Sequence, residues 1–391
     1  MFCVNISENL FGLQGLEIKK IESDNENITV VARMKRKIHQ CPICGSETDK
    51  VHDYRKQVIR DAPAFNKNVI VILEKRRYAC TCGKHFIEKV PFLPRYHRMT
   101  NRLIQFVLDK LRGTDSFTSV AHQANLSVST VIRIFDFISF SKPAMPRVLA
   151  VDEFKGNTGG EKYNCIITDP ENHRVLDILP KRYDYYLSTY FKSCKDRDNV
   201  QIFISDMWKP YYETAGIYFK NANRVVDKYH WIRQVVWAFE RVRKDVQKQF
   251  QKSHRIYFKR SRNLLLRHNS SLSDDEKTQV SVMIGISPTL STAYFLKERF
   301  YNLINCKTRE TAKQMLTDWI DSAENSKITA FEKCAKTMQT WFTAILNSFD
   351  TQYTNGFTEG CNNKIKVLKR NAFGYRNFNR FRKRILFAFS A

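Results

Sequence analysis

Three acidic residues that lie far apart along the chain have surroundings suited to catalysis. Asp152 follows the apolar run RVLAV, and Asp206 follows the run NVQIFIS. Between Glu359 and residue 386 the chain has nine Lys or Arg and no Asp or Glu. Carboxylates that come together repel each other unless a cation lies between them, and oxygen ligands at a phosphate favour Mg²⁺ or Mn²⁺. These residues therefore predict a metal site that acts on a polyanion.

Glu359 is expected near the start of a helix capped by Thr354 or Asn355. Asn362, Asn363 and Lys366 follow it by three, four and seven positions, so they share its face. A carboxylate, amides and an ammonium group on one face can hold a metal and a phosphate. The basic residues that would extend this phosphate-binding surface are Lys369, Arg370, Arg376, Arg380, Arg382, Lys383 and Arg384. The simpler interpretation of Glu359 is an acid that the helix dipole favours.

The elements around Asp152 and Asp206 predict an α/β domain. RVLAVDEF, KYNCIITD and HRVLDILP are three candidate strands with short connections, and RYDYYLSTYFKSC is a helix. NVQIFISD is a fourth strand, MWKPYYETAGIYF a helix, and NRVVDKYHW a short strand that leads into a long helix. The order β-β-β-α-β-α-β-α is that of a ribonuclease-H-like fold, whose first and fourth strands are neighbours. Asp152 and Asp206 could therefore meet, although an acid at a strand end is usually a cap or turn former.

Two cysteine pairs near the N-terminus predict a structural zinc site. The motifs CPIC and CTC contain Cys41, Cys44, Cys80 and Cys82. An alternating apolar pattern between them, with a Pro/Asn turn, predicts a β-hairpin. Four thiolates close a tetrahedral zinc site and leave no open catalytic position. Because the second pair is CxC, His85 or His52 could replace one thiolate, and unmetallated cysteines are the remaining alternative.

A helix-turn-helix is predicted after this cysteine-rich region. TNRLIQFVLDKLRG is an amphipathic helix with Thr100 as its cap and Gly113 as its stop. The next residues, SFTSVAHQANLSVSTVIRIFDFI, contain two short apolar faces separated by a turn, which is typical of this motif. Its second helix would direct Ser129, Thr130 and Arg133 into the major groove of DNA. An ordinary helical hairpin is the alternative, and SKPAMPR, which follows, reads as a linker.

Composition limits the class of partner. The formal net charge is +26 over 391 residues, which predicts attraction to nucleic acid more than to an acidic membrane. Hydrophobic residues make up 43% of the chain, enough for a substantial core. The chain has no apolar run near 18 residues and no signal-peptide pattern. Scattered cysteines such as Cys3 indicate free thiols in a reducing compartment, so we expect a cytoplasmic, nucleoid-associated protein of a prokaryote.

The chain resembles DDE transposases of the ISL-three insertion-sequence family from about residue 41 to 386. The matching motifs are CPICGS, RRYACTCGKHF, AVDEFKG, FISDMWKPYYETA, DKYHWIRQV and TNGFTEGCNNKIKVLKRNAFGYRNFNRFRKRI. The resemblance implies that Asp152, Asp206 and Glu359 are the DDE triad. It also implies that Asp227 and His230, in DKYH, support the active site. Related zinc motifs often have more residues between the last two cysteines than the single Thr81 found here.

Five segments are expected from the motifs and the resemblance. They are a zinc-binding β-rich domain (1–95), a helix-turn-helix domain (96–142), the first part of a ribonuclease-H-like core (147–231), an all-helical insertion (232–350) and the C-terminal part of the core with Glu359 (351–391). Residues 228–267 carry twelve Lys or Arg against two acids, so this part of the insertion either lines DNA or forms a solvated helix face.

The expected reaction is metal-assisted phosphoryl transfer at the ends of an insertion element. Two Mg²⁺ (or Mn²⁺) held by the triad would promote strand cleavage by water, and the freed 3′-OH would then attack target DNA. The expected partners are double-stranded DNA, at the element's ends and the target, and further copies of the chain. No membrane and no small-molecule substrate are expected.

Two other functions fit parts of the sequence. A zinc/helix-turn-helix regulator without catalysis would explain the N-terminal motifs and the charge, but not Glu359. A ribonuclease-H-like nuclease that cuts without joining would use the same acids.

Overall fold

The computed structural model describes residues 15–390, without the side chains of Ser253 and His254. Cys3 therefore lies outside the described residues. The chain divides into two compact units. The first unit comprises Met1–Phe140 and Val367–Ala391, and the second comprises Ser141–Lys366. No helix in the described range is long and apolar enough to cross a bilayer.

The first unit begins with β-strands. Its seven described strands are β1 (Leu16–Ser23), β2 (Asn27–Met34), β3 (His39–Gln40), β4 (Glu47–Thr48), β5 (Val51–Ala64), β6 (Lys67–Ala79) and β7 (His85–Ile87). The order in the main sheet is β1-β2-β6-β5, with β7 on β6, and β3 pairs with β4 separately. β5 and β6 form the predicted hairpin, whose turn at Phe65 and Asn66 has positive φ. Alternate residues such as Val71 and Leu73 are fully buried in the sheet's core.

Three helices follow, and they agree with the helix-turn-helix prediction. They are α1 (Asn101–Arg112), α2 (Phe117–Gln123) and α3 (Val128–Asp136). Thr100 caps α1 by accepting the N–H of Leu103, and Gly113 ends it. Ser127 caps α3 in the same way, by accepting the N–H of Thr130. The caps satisfy backbone donors that the first helical turn leaves unpaired.

The C-terminal helix α15 (Phe378–Phe389) belongs to the first unit and packs on the helix-turn-helix. The rings of Phe135 and Phe387 meet edge to face at 5.7 Å. Arg384 is completely buried and donates to the carbonyl oxygens of Gly113 (2.9 Å) and Asp115 (3.0 Å). The prediction that Arg384 extends a phosphate-binding surface is therefore wrong, because its guanidinium is used inside the unit. The predicted segment 351–391 is split between the two units, because its residues from Val367 onward belong to the first unit.

The second unit contains a five-stranded sheet with two helices. Its elements are β8 (Val148–Thr158), β9 (Glu161–Asp169), β10 (Arg174–Leu179), α4 (Asp184–Lys192), β11 (Ile202–Ser205), α5 (Lys209–Tyr218) and β12 (Asn223–Val226). The strand order is β10-β9-β8-β11-β12, with β8, β11 and β12 parallel and the other pairs antiparallel. The predicted element order and the predicted pairing of the first and fourth strands are thus observed. Asp152 does not end its strand as expected, because β8 stays paired with β9 as far as Thr158.

The rest of the second unit is helical. Its α-helices are α6 (Lys228–Lys248), α7 (Lys252–Arg260), α8 (Arg262–Leu266), α9 (Asp274–Gly285), α10 (Pro288–Ile304), α11 (Arg309–Glu324), α12 (Thr329–Thr340), α13 (Phe342–Asn347) and α14 (Gly356–Asn371), of which α14 belongs to this unit as far as Lys366. Large side chains such as Trp231, Phe300 and Trp319 fill one core between these helices. Asn347 ties α13 to the sheet by donating to the carbonyl of Arg224 at 2.8 Å.

Candidate active site

Asp152 lies in β8 just beyond the point where the pairing with β11 ends at Ala150. Burial, together with nearby carboxylates, raises the pKa of Asp152 to about 8. These carboxylates belong to Glu153, Asp206 and Glu359. The negative charges of Asp206 and Glu359 therefore both act on the ionisation of Asp152.

Asp206 follows the last residue of β11, beside the strand that carries Asp152. Burial raises the pKa of Asp206 to about 7, and the charge of Glu153 acts in the same direction. Arg182 and Arg233 oppose this shift. Arg182 also pairs with Glu153, with 2.9 Å between Nη1 and Oε1. The parallel pairing of β8 and β11 therefore gathers acids whose ionised forms need a positive charge nearby.

Glu359 lies in the first turn of α14 and groups with Asp227 and His230. One ligand atom from each of the three lies within 4.8 Å of the others. Asp227 caps α6, because its Oδ2 accepts the N–H of Tyr229 at 3.1 Å. Its Oδ1 accepts the N–H of Asn355, just before α14, at 2.8 Å. These two bonds hold the start of α6 beside the start of α14.

Burial is the main cause of the pKa shifts of Glu359 and His230. Burial raises the pKa of Glu359, with a further contribution from Asp227, while Arg233 and Lys366 lower it. Burial lowers the pKa of His230, so its imidazole is neutral at neutral pH and can donate a lone pair. Asp227, His230 and Glu359 thus form one potential ligand group, and that group does not include Asp152 or Asp206.

Asn362, which the sequence predicts only to share a helix face with Glu359, contacts Asp152. Its Nδ2 donates to Oδ2 of Asp152 at 2.9 Å, and its side chain is buried. Its Oδ1 has no hydrogen-bond partner within residues 15–390. Asn363 is exposed instead and accepts a hydrogen bond from Lys366 at 3.1 Å. The spacing of three residues from Glu359 was the only sequence signal for Asn362, and Glu153 had none beyond adjacency to Asp152.

The donor set fits a hard divalent cation. Carboxylate oxygens come from Asp152, Asp206, Asp227 and Glu359, and these are the ligands that Mg²⁺ and Mn²⁺ prefer. The neutral imidazole of His230 suits Mn²⁺ better than Mg²⁺. Chemically, such a site can neutralise charge on a phosphodiester and activate an attacking oxygen.

The four predicted cysteine ligands form a separate group. The Sγ atoms of four cysteines all lie within 4.8 Å of one another: Cys41, Cys44, Cys80 and Cys82. The Sγ atoms are 3.7 Å apart in the pair Cys41–Cys82 and 3.5 Å apart in the pair Cys44–Cys80. A tetrahedral zinc site with Zn–S bonds of about 2.3 Å has sulfurs about 3.8 Å apart. The geometry therefore suits zinc. The rings of His52 and His85 lie against each other in a tilted arrangement, with centroids 4.1 Å apart, and neither residue belongs to this group.

The predicted DNA-contacting residues differ in their surroundings. Ser129 and Arg133 are exposed on α3, and Thr130 is half-buried. Farther along the chain, Arg370 and Arg376 are exposed, while Lys369 and Arg382 are half-buried. In contrast, Arg380 is held by an ion pair of 2.8 Å with Asp136 of the helix-turn-helix.

Comparisons with known families assign most of the chain. A family model described as "Transposase", of the ISL3 family, matches residues 149–385. The model of the helix-turn-helix domain of ISL3 transposases matches residues 88–139. The model of the zinc finger of the IS204/IS1001/IS1096/IS1165 transposases matches residues 37–82. These ranges contain the candidate active site, the helix-turn-helix and the four cysteines.

Individual relatives agree with this assignment. The transposase of insertion sequence IS1001 from Bordetella parapertussis is 27% identical over 401 residues and covers 98% of each chain. The transposase of IS1557 from Mycobacterium tuberculosis is 30% identical over 119 residues, which is 30% of this chain and 27% of that protein. A Lactococcus lactis protein named ATP-dependent protease is 34% identical over 100 residues, covering 26% of this chain and 31% of that protein. The chain belongs to the ISL3 family of transposases, with a DNA-binding helix-turn-helix before its catalytic domain.

Proposed function

We propose that this transposase cuts and joins DNA by metal-dependent phosphoryl transfer, with Asp152, Asp206 and Glu359 as the catalytic triad. The observation that carries the proposal is a cluster of acids with raised pKa values. Asp152 on β8 is buried and bonds to Asn362 of α14, while Asp206, which follows the neighbouring strand β11, and Glu359 of α14 are half-buried. Such a cluster favours a divalent cation over protons when a polyanionic substrate is present.

The architecture proposed for the catalytic domain is a ribonuclease-H-like core with a helical insertion. The support is the sheet order β10-β9-β8-β11-β12, with the first and fourth strands of the domain paired. The helices from α6 to α13 then form the insertion between Asp206 and Glu359, close to the expected range 232–350. The expected ranges of the other four domains stay proposals of the same kind.

The site residues have distinct proposed roles. Bound Mg²⁺ or Mn²⁺ would supply Lewis-acid stabilisation of the attacking and leaving oxygens. Asp152, Asp206 and Glu359 would hold the cations, while Asp227 and His230 support Glu359 at the junction of α6 and α14. Lys366, held near Asn363, would bind a phosphate of the DNA.

The N-terminal modules are proposed to recognise the terminal inverted repeats of the element. Zinc held by Cys41, Cys44, Cys80 and Cys82 would stabilise the small sheet around it. Ser129, Thr130 and Arg133 would face the major groove, and the exposed Arg370 and Arg376 would contact phosphates. Because two ends must be cut in concert, we propose a dimer or larger assembly on DNA. The proposed location is the nucleoid of a prokaryotic cell.

The test is cleavage and joining of end-sequence DNA with each triad acid replaced by its amide. Asp152→Asn, Asp206→Asn and Glu359→Gln should each lower Mg²⁺-dependent cleavage and strand transfer at least about a thousandfold, since each removes a charged metal ligand. Glu213→Gln is the matched control, because Glu213 is an exposed acid on α5.

Two outcomes would count against the proposal. Strand transfer that survives Asp152→Asn would remove that residue from the triad. Products that are cut but never joined would favour a nuclease that uses the same acids.

A further inference from the structure

Helix α6 carries an exposed stripe of two aromatic rings with an arginine between them. Tyr229, Arg233 and Trp237 are spaced four residues apart, so they follow one face of the helix. Tyr229 is 54% exposed and Trp237 is 52% exposed. The Arg233 guanidinium carbon lies 5.2 Å from the Tyr229 ring centroid and 4.4 Å from that of Trp237. We name these three residues the α6 ladder.

The ladder is not needed for the core of the helical region. The opposite face of α6 already packs into that core through Trp231, Val235 and Phe239. Large rings left half in water forgo the burial that would stabilise the fold, so a stripe of them marks a binding surface. Arg233 also indicates a binding surface, because its buried Nε has no hydrogen-bond partner in the described chain.

The ladder starts at the candidate active site. The N–H of Tyr229 donates to Asp227, whose ligand atom lies within 4.8 Å of Glu359. The Tyr229 ring also touches the ring of His230, a third member of that group, at 5.6 Å between centroids. The positive charge of Arg233 acts on both Asp206 and Glu359. A ligand on the ladder would therefore lie beside the acids.

The positive charge and the aromatic rings of the ladder together indicate which kind of ligand it binds. A guanidinium binds phosphate, and an exposed ring stacks on a nucleobase regardless of sequence. Bases inside a duplex are already stacked on both faces, and a blunt end offers only the outer face of its terminal pair, so an unpaired nucleotide, whose base is free to leave the stack, fits the ladder best. A protein segment or duplex backbone would use the cation but would not need the two flanking rings.

We propose that the α6 ladder binds an unpaired nucleotide of the DNA end, with its base stacked on Trp237 and its phosphate on Arg233. This rests on the proposed function, which places a DNA end beside Asp206 and Glu359. The ladder would hold the end open while the acids act on the neighbouring phosphodiester.

Binding measurements on the full-length protein test the proposal without cleavage. Two fluorescent probes are compared in Ca²⁺: a blunt duplex, and the same duplex with a short single-stranded tail. Trp237→Ala should weaken binding of the tailed duplex roughly tenfold and leave blunt-duplex binding unchanged. Trp237→Phe should stay within about threefold of the original protein, because it keeps a ring that can stack. Phe295→Ala is the matched control, since Phe295 is a ring of similar exposure (57%) on a different helix, α10.

A substitution at Arg233 provides a second, independent binding measurement. Arg233→Lys keeps the charge but loses the planar group that lies between the rings, so it should also weaken tailed-duplex binding selectively. Equal affinities of Trp237→Ala and the original protein for the tailed probe would overturn the proposal. So would equal losses on both probes, which would indicate contact with the duplex backbone. Cleavage that persists in Asp152→Asn would refute the proposed triad and leave these binding results unaffected.

Discussion

Asp152 is held by two hydrogen bonds that favour its charged form. The N–H of Glu153 donates to Oδ1 at 2.8 Å, and Nδ2 of Asn362 donates to Oδ2 at 2.9 Å. Burial nevertheless outweighs these bonds and raises the pKa of Asp152 to about 8. Without a cation, the carboxyl group is therefore largely protonated at neutral pH, and cation binding must release that proton.

This balance predicts how stability depends on pH without divalent metal. At pH values between 3.8, the ordinary pKa of Asp, and about 8, the folded protein binds a proton at Asp152 that the unfolded chain does not bind. The free energy of unfolding should therefore fall as pH rises from 5 to 8, by an amount on the order of a few kcal/mol from this residue. Mg²⁺ should restore more stability at pH 8 than at pH 5. Chemical denaturation at both pH values, in EDTA and in Mg²⁺, measures both effects.

Asp152→Asn is the appropriate comparison for this prediction. An asparagine keeps the size of the side chain, and Asn362 can turn its unpartnered Oδ1 towards the new amide group. The variant should lose the part of the pH dependence that Asp152 causes. If the original protein and the variant lose stability in parallel between pH 5 and pH 8, Asp152 is not protonated as described.

At the scale of elements, local signals predicted more than long-range pairing did. The bounds of α1 follow from its cap and its glycine stop, and the turn of the β5–β6 hairpin follows from its local sequence. The acids Asp152 and Asp206 could be paired in advance, because strand order along the chain limits which strands are neighbours. The parallel pairing of β2 with β6, and the contact of Asn362 with Asp152, depend on residues far apart in sequence. No local pattern specifies such contacts.

Helix α15 gives the clearest example and a prediction. Its basic sequence resembles a DNA-binding surface, yet Arg384 supports the end of α1 through the carbonyls of Gly113 and Asp115. Arg384→Ala should leave those acceptors unpaired and create a cavity, and so destabilise the helix-turn-helix locally by about 2–4 kcal/mol. Hydrogen exchange of the amides in residues 101–136 should become correspondingly faster.

A control in the same segment separates burial from charge. Arg376 is exposed, so Arg376→Ala removes the same charge without disturbing the core and should leave exchange in residues 101–136 unchanged. If exchange is equally slow in both variants, Arg384 does not support α1.

At the scale of the whole molecule, the net charge of +26 makes DNA binding depend steeply on salt. Each phosphate contact releases condensed counterions, so the logarithm of affinity falls with the logarithm of salt concentration by about 0.9 per contact. The predicted basic residues should not contribute equally, because Arg370 and Arg376 are exposed whereas Arg380 already pairs with Asp136.

The last prediction uses this difference. The double variant Arg370→Gln, Arg376→Gln should reduce the salt slope of duplex binding by about 2, since it removes two available phosphate contacts. Arg380→Gln should change the slope by well under 1, because its guanidinium already serves an ion pair within the first unit. Binding of one duplex, measured across a series of NaCl concentrations for each variant, gives the slopes. A larger change for Arg380→Gln than for the double variant would mean that DNA displaces Asp136, and that the static ion pair does not predict which cations meet phosphate.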